Sequence, residues 1–587
     1  MKKISKMALL AVAGMISLPQ AFAQEAEEET FATEESEYTA DFGDDFGGGF
    51  DDFGSDDSAP TYYINAETGV DMRGYIGTYD GSAFNSGYET KSQAEVFDSL
   101  TDASAYANMT LGYSAQNSEM EFKLKFDGNS LGDYNQDILD EATARLFLGN
   151  WVIEGGKMKV VWGKGDKLHV LDNFNANDYT DFIFGDYIDR RIAEPMLRVK
   201  YNVPNTNWSI EGVYTPMMTA DRFASSGVWA PAAQKKLTSV VETLVKTNLE
   251  AKKFAADKAT ATLMAAVATN SATPAQFKAK TDADAKYLNY LSGATSIADE
   301  LYPDTEQLRY GQAGVRVLGT VGSVDLGASY YYGHYKQPSA NLSSIVDTVA
   351  GLKTNTAFLG AYGAALQAGQ MTTLQAAQAF AIQNGLELDL PTLAYDQKQT
   401  FGLEAAFVVW KFNTRWELGY NLTKDTAGDD PWVKNNSVEW LAGFDVNLPI
   451  HNMNLNVQET GKYILNNDKI EDNQDIFKLA GVADLGVSDV DANSDGKYIN
   501  NRVVMNLSDN FLYENLKPEV TVIWGIENNE WCVQPKVNYK VADGMNLGVS
   551  GGVLYCYNEN GEFYNFTADS TKWHTKSFVQ ASVRYEF

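Results

Sequence analysis

Four histidines, two cysteines and a large excess of carboxylates are what this 587-residue chain has for chemistry. His169, His334, His451 and His574 stand far apart, none in a spacing such as His-Glu-x-x-His that would hold a metal. None lies beside a nucleophile motif. Hydrolysis would need one of them to meet a serine or aspartate across the fold. Nothing local points to that, so the chain reads as a non-enzyme without cofactor or metal. Asp491-Ala492-Asn493-Ser494-Asp495-Gly496 matches the first half of a calcium loop, but Arg502 stands where the twelfth-position glutamate belongs. A polar surface loop is the plainer reading. The cysteines, Cys532 and Cys556, flank a turn at Ala542 to Gly544. Folding that hairpin about Gly544 sets them opposite one another with both sulfurs on the polar face, a candidate disulfide. Two free thiols are the alternative.

The elements that would position these groups are strands. The chain closes on Ser577 to Phe587, where Val579, Ala581, Val583, Tyr585 and Phe587 alternate with Gln580, Ser582, Arg584 and Glu586. Side chains in a strand alternate faces, so one face is apolar and the other polar. That suits lipid on one side and a watery lumen on the other. A terminal strand ending in phenylalanine resembles the closing strand of bacterial outer-membrane barrels, where it belongs to the signal read by the assembly machinery. At the other end Lys2, Lys3 and Lys6 precede an apolar run from Met7 to Leu18 and an Ala21-Phe22-Ala23 cleavage site. This is a secretory signal peptide over residues 1–23. No later segment offers about 18 uninterrupted apolar residues, so a membrane helix is not expected.

Residues 24–60 form an acidic, low-complexity tract with an Asp-Phe-Gly theme from Asp41 to Gly54. Dense like charge with glycine cannot bury enough apolar surface to fold. A disordered periplasmic segment is the plain reading. A docking peptide presenting Phe42, Phe46, Phe50 and Phe53 is the sharper one. Residues 61–587 read as the barrel. About 18 alternating segments recur, each near the nine to eleven residues a tilted strand needs. With the last strand running inward, every connection assigned to the periplasm is short and the long ones fall outside. Two outer insertions read as helical, 231–299 and 341–390. Thr273-Pro274-Ala275-Gln276 and Thr372 to Gln375 are capping-box patterns, and Asn384-Gly385 is a helix stop. The expected fold is therefore an all-β transmembrane antiparallel β-barrel of about 18 strands, with helical insertions in extracellular loops.

Projecting the strands gives a lumen inventory. Arg145, Lys157, Lys159, Arg198, Lys200, Arg316, Arg415, Lys536 and Arg584 are placed on the polar face, with Glu121, Glu211, Glu404, Glu417, Glu439 and Asp445 among the anions. Cations outnumber anions there, in a chain of formal net charge −32. Paired networks that solvate one another are one account. A cationic stripe guiding anionic solutes is the other. Such an acidic chain is no partner for nucleic acid.

The densest local signal is Val161-Trp162-Gly163-Lys164-Gly165-Asp166, then Val170 to Asn175, then Asp189-Arg190-Arg191 and Glu194-Pro195-Met196-Leu197-Arg198. A Trp-Gly strand end, an Asn/Asp-rich loop and an Arg-x-x-x-Pro-Met stretch resemble a family of outer-membrane porin-like barrels that includes alginate-export channels. The resemblance covers residues 140–220 and otherwise only architecture. It implies an 18-strand channel. Arg190, Arg191 and Arg198 cluster where this loop enters the next strand, with Arg198 projecting inward, and are expected to line or buttress a constriction that loop 164–193 helps to make. The functional expectation is an outer-membrane channel for passive diffusion of small hydrophilic solutes, anionic ones under the second account. A surface adhesin or antigen displayed on a barrel scaffold is the alternative. An energy-coupled receptor would need a folded plug that about 44 residues cannot make. A carrier of hydrophobic substrates would want an apolar lumen patch, which the projection does not reveal.

Overall fold

The computed structural model describes residues 60–75, 101–128, 130–131, 138–224, 229, 231–294, 301–470, 498–556, 563 and 577–587. The signal peptide 1–23, the acidic tract up to residue 59 and the calcium-like stretch 491–496 lie outside the described residues. So do the last residues of the first helical insertion.

Eighteen antiparallel strands close on themselves. They are β1 (Thr61–Tyr75), β2 (Thr101–Ala115), β3 (Ser118–Phe126), β4 (Leu139–Leu148), β5 (Trp151–Met158), β6 (Glu194–Asn202), β7 (Trp208–Thr215), β8 (Gln312–Val321) and β9 (Val324–His334). Then follow β10 (Gln397–Val409), β11 (Phe412–Thr423), β12 (Ser437–Asn447), β13 (Asn454–Ile464), β14 (Ile499–Ser508), β15 (Leu516–Gly525), β16 (Glu530–Ala542), β17 (Met545–Cys556) and β18 (Phe578–Glu586). Each pairs with the next in sequence, and β1 pairs with β18 from Glu67 opposite Glu586 to Tyr75 opposite Phe578. Closure leaves no free sheet edge along the paired spans, so the ladder groups there find partners without water. The expected strand count and antiparallel closure hold.

The alternation sorts the side chains. Met120, Phe122, Leu146, Leu148, Val537, Tyr539, Val549, Val553, Val579 and Val583 point outward and stay exposed. Their inward neighbours are Glu119, Glu121, Arg145, Lys536, Ser550 and Arg584. An apolar band of this extent on the outside of a closed barrel is a surface made for hydrocarbon. Among the described residues, no helix is long and apolar enough to cross a membrane. The first residues of β1, Thr61 to Ala66, pair with β2 beyond the end of β18.

At the end carrying the long connections, five helices among the described residues gather from two of them. α1 (Ala232–Ala268) and α2 (Pro274–Gly293) lie between β7 and β8, while α3 (Ser343–Lys353), α4 (Thr356–Gln367) and α5 (Thr373–Asn384) lie between β9 and β10. Both capping patterns form reciprocal boxes, Thr273 with Gln276 and Thr372 with Gln375. Gly385 ends α5 in the left-handed region at φ 63°, which only glycine enters freely. The two insertions pack together. Leu244 of α1 meets Ile345, Val349 and Ala381, and the Asn248 side chain bonds both the N–H and C=O of Leu388.

The cysteine register differs from expectation. Cys532 lies opposite Leu554, and Cys556 opposite Glu530. Both thiols are buried, and no disulfide joins them. The turn is two residues, Asp543-Gly544, and a bulge between Lys540 and Ala542 takes up one more residue. The pairing therefore slips by two, and the cysteines become diagonal neighbours. Such diagonal neighbours are about 7–8 Å apart, with Cβ atoms only somewhat closer, too far for a disulfide.

Candidate functional site

The connection between β5 and β6 does not leave the barrel; it turns into the lumen. Asn175 clasps its two legs. Its Oδ1 accepts from Val160 N at 2.8 Å, and its Nδ2 donates to Met158 O at 3.0 Å and Ile192 O at 2.8 Å. Trp162, fully buried, stacks edge-on to Phe174 at 4.9 Å and donates its indole N–H to Glu211 of β7 at 2.7 Å.

The loop then reaches β11. Gly163 holds φ 113°, and a Cβ there would lie 2.3 Å from Glu417 Oε1. That close approach lets Glu417 Oε1 accept the N–H groups of Lys164 and Gly165, both at 2.7 Å. Oε2 accepts those of Val170 and Leu171, at 2.8 and 3.2 Å. Gln458 of β13 accepts from Lys167 N and Leu168 N at 3.1 and 3.0 Å. A carboxylate that takes four backbone donors is a built anchor, because each bond to a charged acceptor is among the stronger kinds. Asp166 adds a pair with Arg415 at 3.1 Å and accepts from Asn456 at 2.6 Å. Burial pushes the Lys164 ammonium below the usual lysine range.

Beyond it, Arg191 and Asp172 form an ion pair at 2.7 Å with both side chains almost wholly buried. The Tyr187 hydroxyl donates to the same carboxylate. The tip crosses to the far wall. Asp181 pairs with both arms of Arg73 on β1. Phe182 and Phe184 pack with Trp229, Phe578, Leu554, Cys556, Cys532, Ile523 and Val504. The lumen thus does hold an apolar patch, filled by the loop's own aromatics. It was hidden in the sequence because each strand from β14 to β18 supplies only one or two of its residues.

The inward charges of the wall beneath the loop form a ladder of alternating sign. Arg145 pairs with Glu119 at 3.1 Å and Glu154 at 2.9 Å. Arg198 bridges Glu154 at 3.4 Å and Glu211 at 2.8 Å, and Arg316 lies 3.7 Å from Glu211 and 4.0 Å from Glu404. Of the residues singled out from sequence, Arg145, Arg198 and Arg316 are therefore ladder members. Arg191 is sealed against Asp172, and Arg190 is half-buried with its guanidinium 5.9 Å from the Tyr179 ring. Arg415 serves the loop anchor. Lys159 pairs with Asp140 at 3.0 Å, Lys200 lies across from Glu211, Lys536 across from Glu519, and Arg584 is 3.2 Å from Glu67.

Lys157 is a correction. It lies across from Pro195 and Ala142 on the outward row, because Glu154 is the inward residue that sets the parity of β5. Its ammonium donates to Leu139 O at 2.6 Å. The anchoring roles of Glu417, Gln458, Asp172 and Arg73 were not legible, since each partner lies at a long sequence distance or inside an irregular loop. The Trp-Gly-Lys-Gly run was the one signal that something unusual happens there.

No protein-family model matches this chain, and neither does any curated protein. Among solved structures, the chain is similar to the outer membrane channel DcaP of Acinetobacter baumannii, with a TM-score of 0.35 and 9% identity over 91% of this chain and 99% of that one. It is also similar to a mutant of the Rh. blastica porin, with a TM-score of 0.31 and 9% identity over 90% of this chain and all of the other. These likenesses are distant, and the closed barrel rests on the chain's own ladders.

Proposed function

We propose that this chain is an outer-membrane channel for passive diffusion of small hydrophilic solutes. One observation carries the reading. A loop is drawn into the lumen and fixed to the opposite wall by purpose-placed acceptors, Glu417 and Gln458. A barrel that only displayed its outer loops would gain nothing from an anchored crossbar inside. The charged, half-exposed side chains elsewhere on the inner wall offer solutes a hydrated route. Residues 159–193 act as the constriction, and Glu417 fixes their position. The kinship with alginate-export-type channels, resting on the Trp-Gly and Arg-x-x-x-Pro-Met run, belongs to this proposal too. So does recognition of the closing strand and Phe587 by the assembly machinery. The preference for anions finds little support in the ladder, since most of the cations that suggested it are held by carboxylates. Planar-bilayer recording on the purified, folded full chain tests the reading. Discrete conducting steps are expected, and a folded barrel that stays silent overturns it.

A further inference from the structure

The wall is not the crossbar's only support. A small three-stranded sheet forms from Ala176–Tyr179, Arg191–Ile192 and Arg222–Phe223. The first two are runs of the crossbar itself, paired antiparallel with Ala176 opposite Ile192 and Asn177 opposite Arg191. The third belongs to the connection between β7 and β8, the one that carries α1 and α2. It runs parallel to the first, with Arg222 opposite Asp178 and Phe223 opposite Tyr179. A parallel pair cannot be closed by a tight turn, so the chain has to leave β7 and return to the crossbar to make it.

Side chains secure that return. Glu194 of β6 accepts the N–H of Thr219 at 2.9 Å. Asp221 Oδ1 accepts the N–H of Asn177 at 2.9 Å, and Arg222 pairs with Asp178 at 3.0 Å. The Phe223 ring stacks on Tyr179 at 5.4 Å. Trp229, 5% exposed, lies flat on Phe182 at 5.5 Å and meets Phe184 at 5.0 Å. Soon after it α1 begins at Ala232, and further along α1 Leu244 and Asn248 are gripped by the second insertion. Apolar contact between the tip and the wall is non-directional. The wall adds one directional contact, from Arg73 to Asp181, whereas Asn177 and Asp178 take theirs from the insertion.

From this, and resting on the channel reading, we infer that the base of the first helical insertion is a second brace on the constriction. Asp221, Arg222 and Trp229 are its positioning residues, and they set where residues 177–184 stand in the lumen. The outer helices therefore serve the pore, because they fix the far end of the segment that holds the tip in place. The opening beside the tip is set by an insertion as well as by the barrel wall.

The chain's own cysteines report on the tip. Cys532 and Cys556 are 0% and 4% exposed and belong to the cluster on which Phe182 and Phe184 pack, while Asp221 and Arg222 lie outside it. In the folded full chain they should react slowly with a water-soluble methanethiosulfonate, read as an intact-mass shift. Asp221→Ala combined with Arg222→Gln leaves the Asn177 N–H without its acceptor and removes the cation beside Asp178. The tip should then lift more often and the thiols label about tenfold faster, with heat-modifiable migration intact. Arg222→Lys keeps the charge and should label at the parent's rate. Arg145→Gln breaks two ion pairs on the wall away from the tip and controls for a merely structural loss. Parent-like labelling in the double variant overturns the brace, as does equal acceleration by Arg145→Gln or prompt labelling of the parent. Should the double variant not insert, Asp221→Ala takes its place, since it removes the same acceptor, and the same outcomes decide. Labelling needs no current. Acceleration in a barrel that never conducts rejects the channel reading and keeps the brace on the tip. In conducting protein the double variant should give a larger or noisier current, and an unchanged trace would overturn the placing of the tip at the constriction.

Discussion

Replacing Glu417 by glutamine isolates what holds the crossbar. The amide keeps one oxygen, so two of the four backbone donors retain an acceptor. The other two meet an N–H₂ group and are left without one. A buried donor stranded in this way costs about 1–3 kcal/mol. The two retained bonds also lose their charge, a change from roughly 1.5–3 to roughly 0.5–1.5 kcal/mol each. Simple addition is an upper bound, because the freed segment can relax, so a local destabilisation of about 3–5 kcal/mol is reasonable. That shifts the released fraction of the loop by a factor on the order of 10² to 10⁴, at about 1.4 kcal/mol per tenfold. The barrel itself should survive, since its 18 ladders are untouched and Trp162, Asn175 and Asp172 still hold the loop's legs. The assay is trypsin digestion of the folded protein in detergent. Lys164 and Lys167 should become cleavable in Glu417→Gln while heat-modifiable migration persists, and single-channel current should become larger or noisier. Glu439→Gln is the control, because Glu439 lies 3.8 Å from Lys462 on the neighbouring strand. A Glu417→Gln protein as resistant and as quiet as the parent would refute the anchor.

Gly163→Ala should reproduce that phenotype from the other side, since the new methyl would collide with Glu417 Oε1 and φ 113° strains any side chain; unchanged trypsin resistance would count against it. Arg191→Met should leave Asp172 buried without its cation, costing about 3–5 kcal/mol, visible as a lowered melting temperature, while the reversal potential in a salt gradient stays put. A selectivity shift without loss of stability would put Arg191 back in the water path. Denatured but unreduced protein should titrate two thiols, and zero would restore the bridge between Cys532 and Cys556. Deleting residues 24–60 behind the signal peptide should still yield heat-modifiable, membrane-embedded barrel, because β1 begins at Thr61; periplasmic or degraded product would reveal a role in assembly.

What could be read in advance follows from the range of the forces involved. Outward valines alternating with inward charges are imposed by two solvents on opposite faces of one strand, so each strand declares itself within ten residues. A capping box is likewise a contact between Thr372 and a residue three places on. Register across a hairpin is less secure. The bulge near Val541 is invisible in alternation, yet together with the two-residue turn it moved the partner of Cys532 from Cys556 to Leu554. Strand β5 failed for a related reason. Glu154 and Lys157 are both polar but differ in parity, and only pairing with Arg198 and Pro195 decides which faces inward.

The crossbar lay furthest from reach, because it depends on contacts such as Gly165 to Glu417, 252 residues apart. A glutamate flanked by Trp416 and Leu418 on a barrel strand looks like any inward charge. Its four backbone partners exist only once the intervening strands have closed the barrel and the loop has turned in. The same closure decides which charges remain in water. Arg198 and Arg584 look equivalent in sequence, one inward arginine on each strand, but their side chains end 27% and 49% exposed. Arg198 is held between the buried carboxylates of Glu154 and Glu211, whereas the partners of Arg584, Glu67 and Glu586, are themselves partly exposed. A prediction of selectivity from inward charges alone therefore counts side chains that no solute can touch.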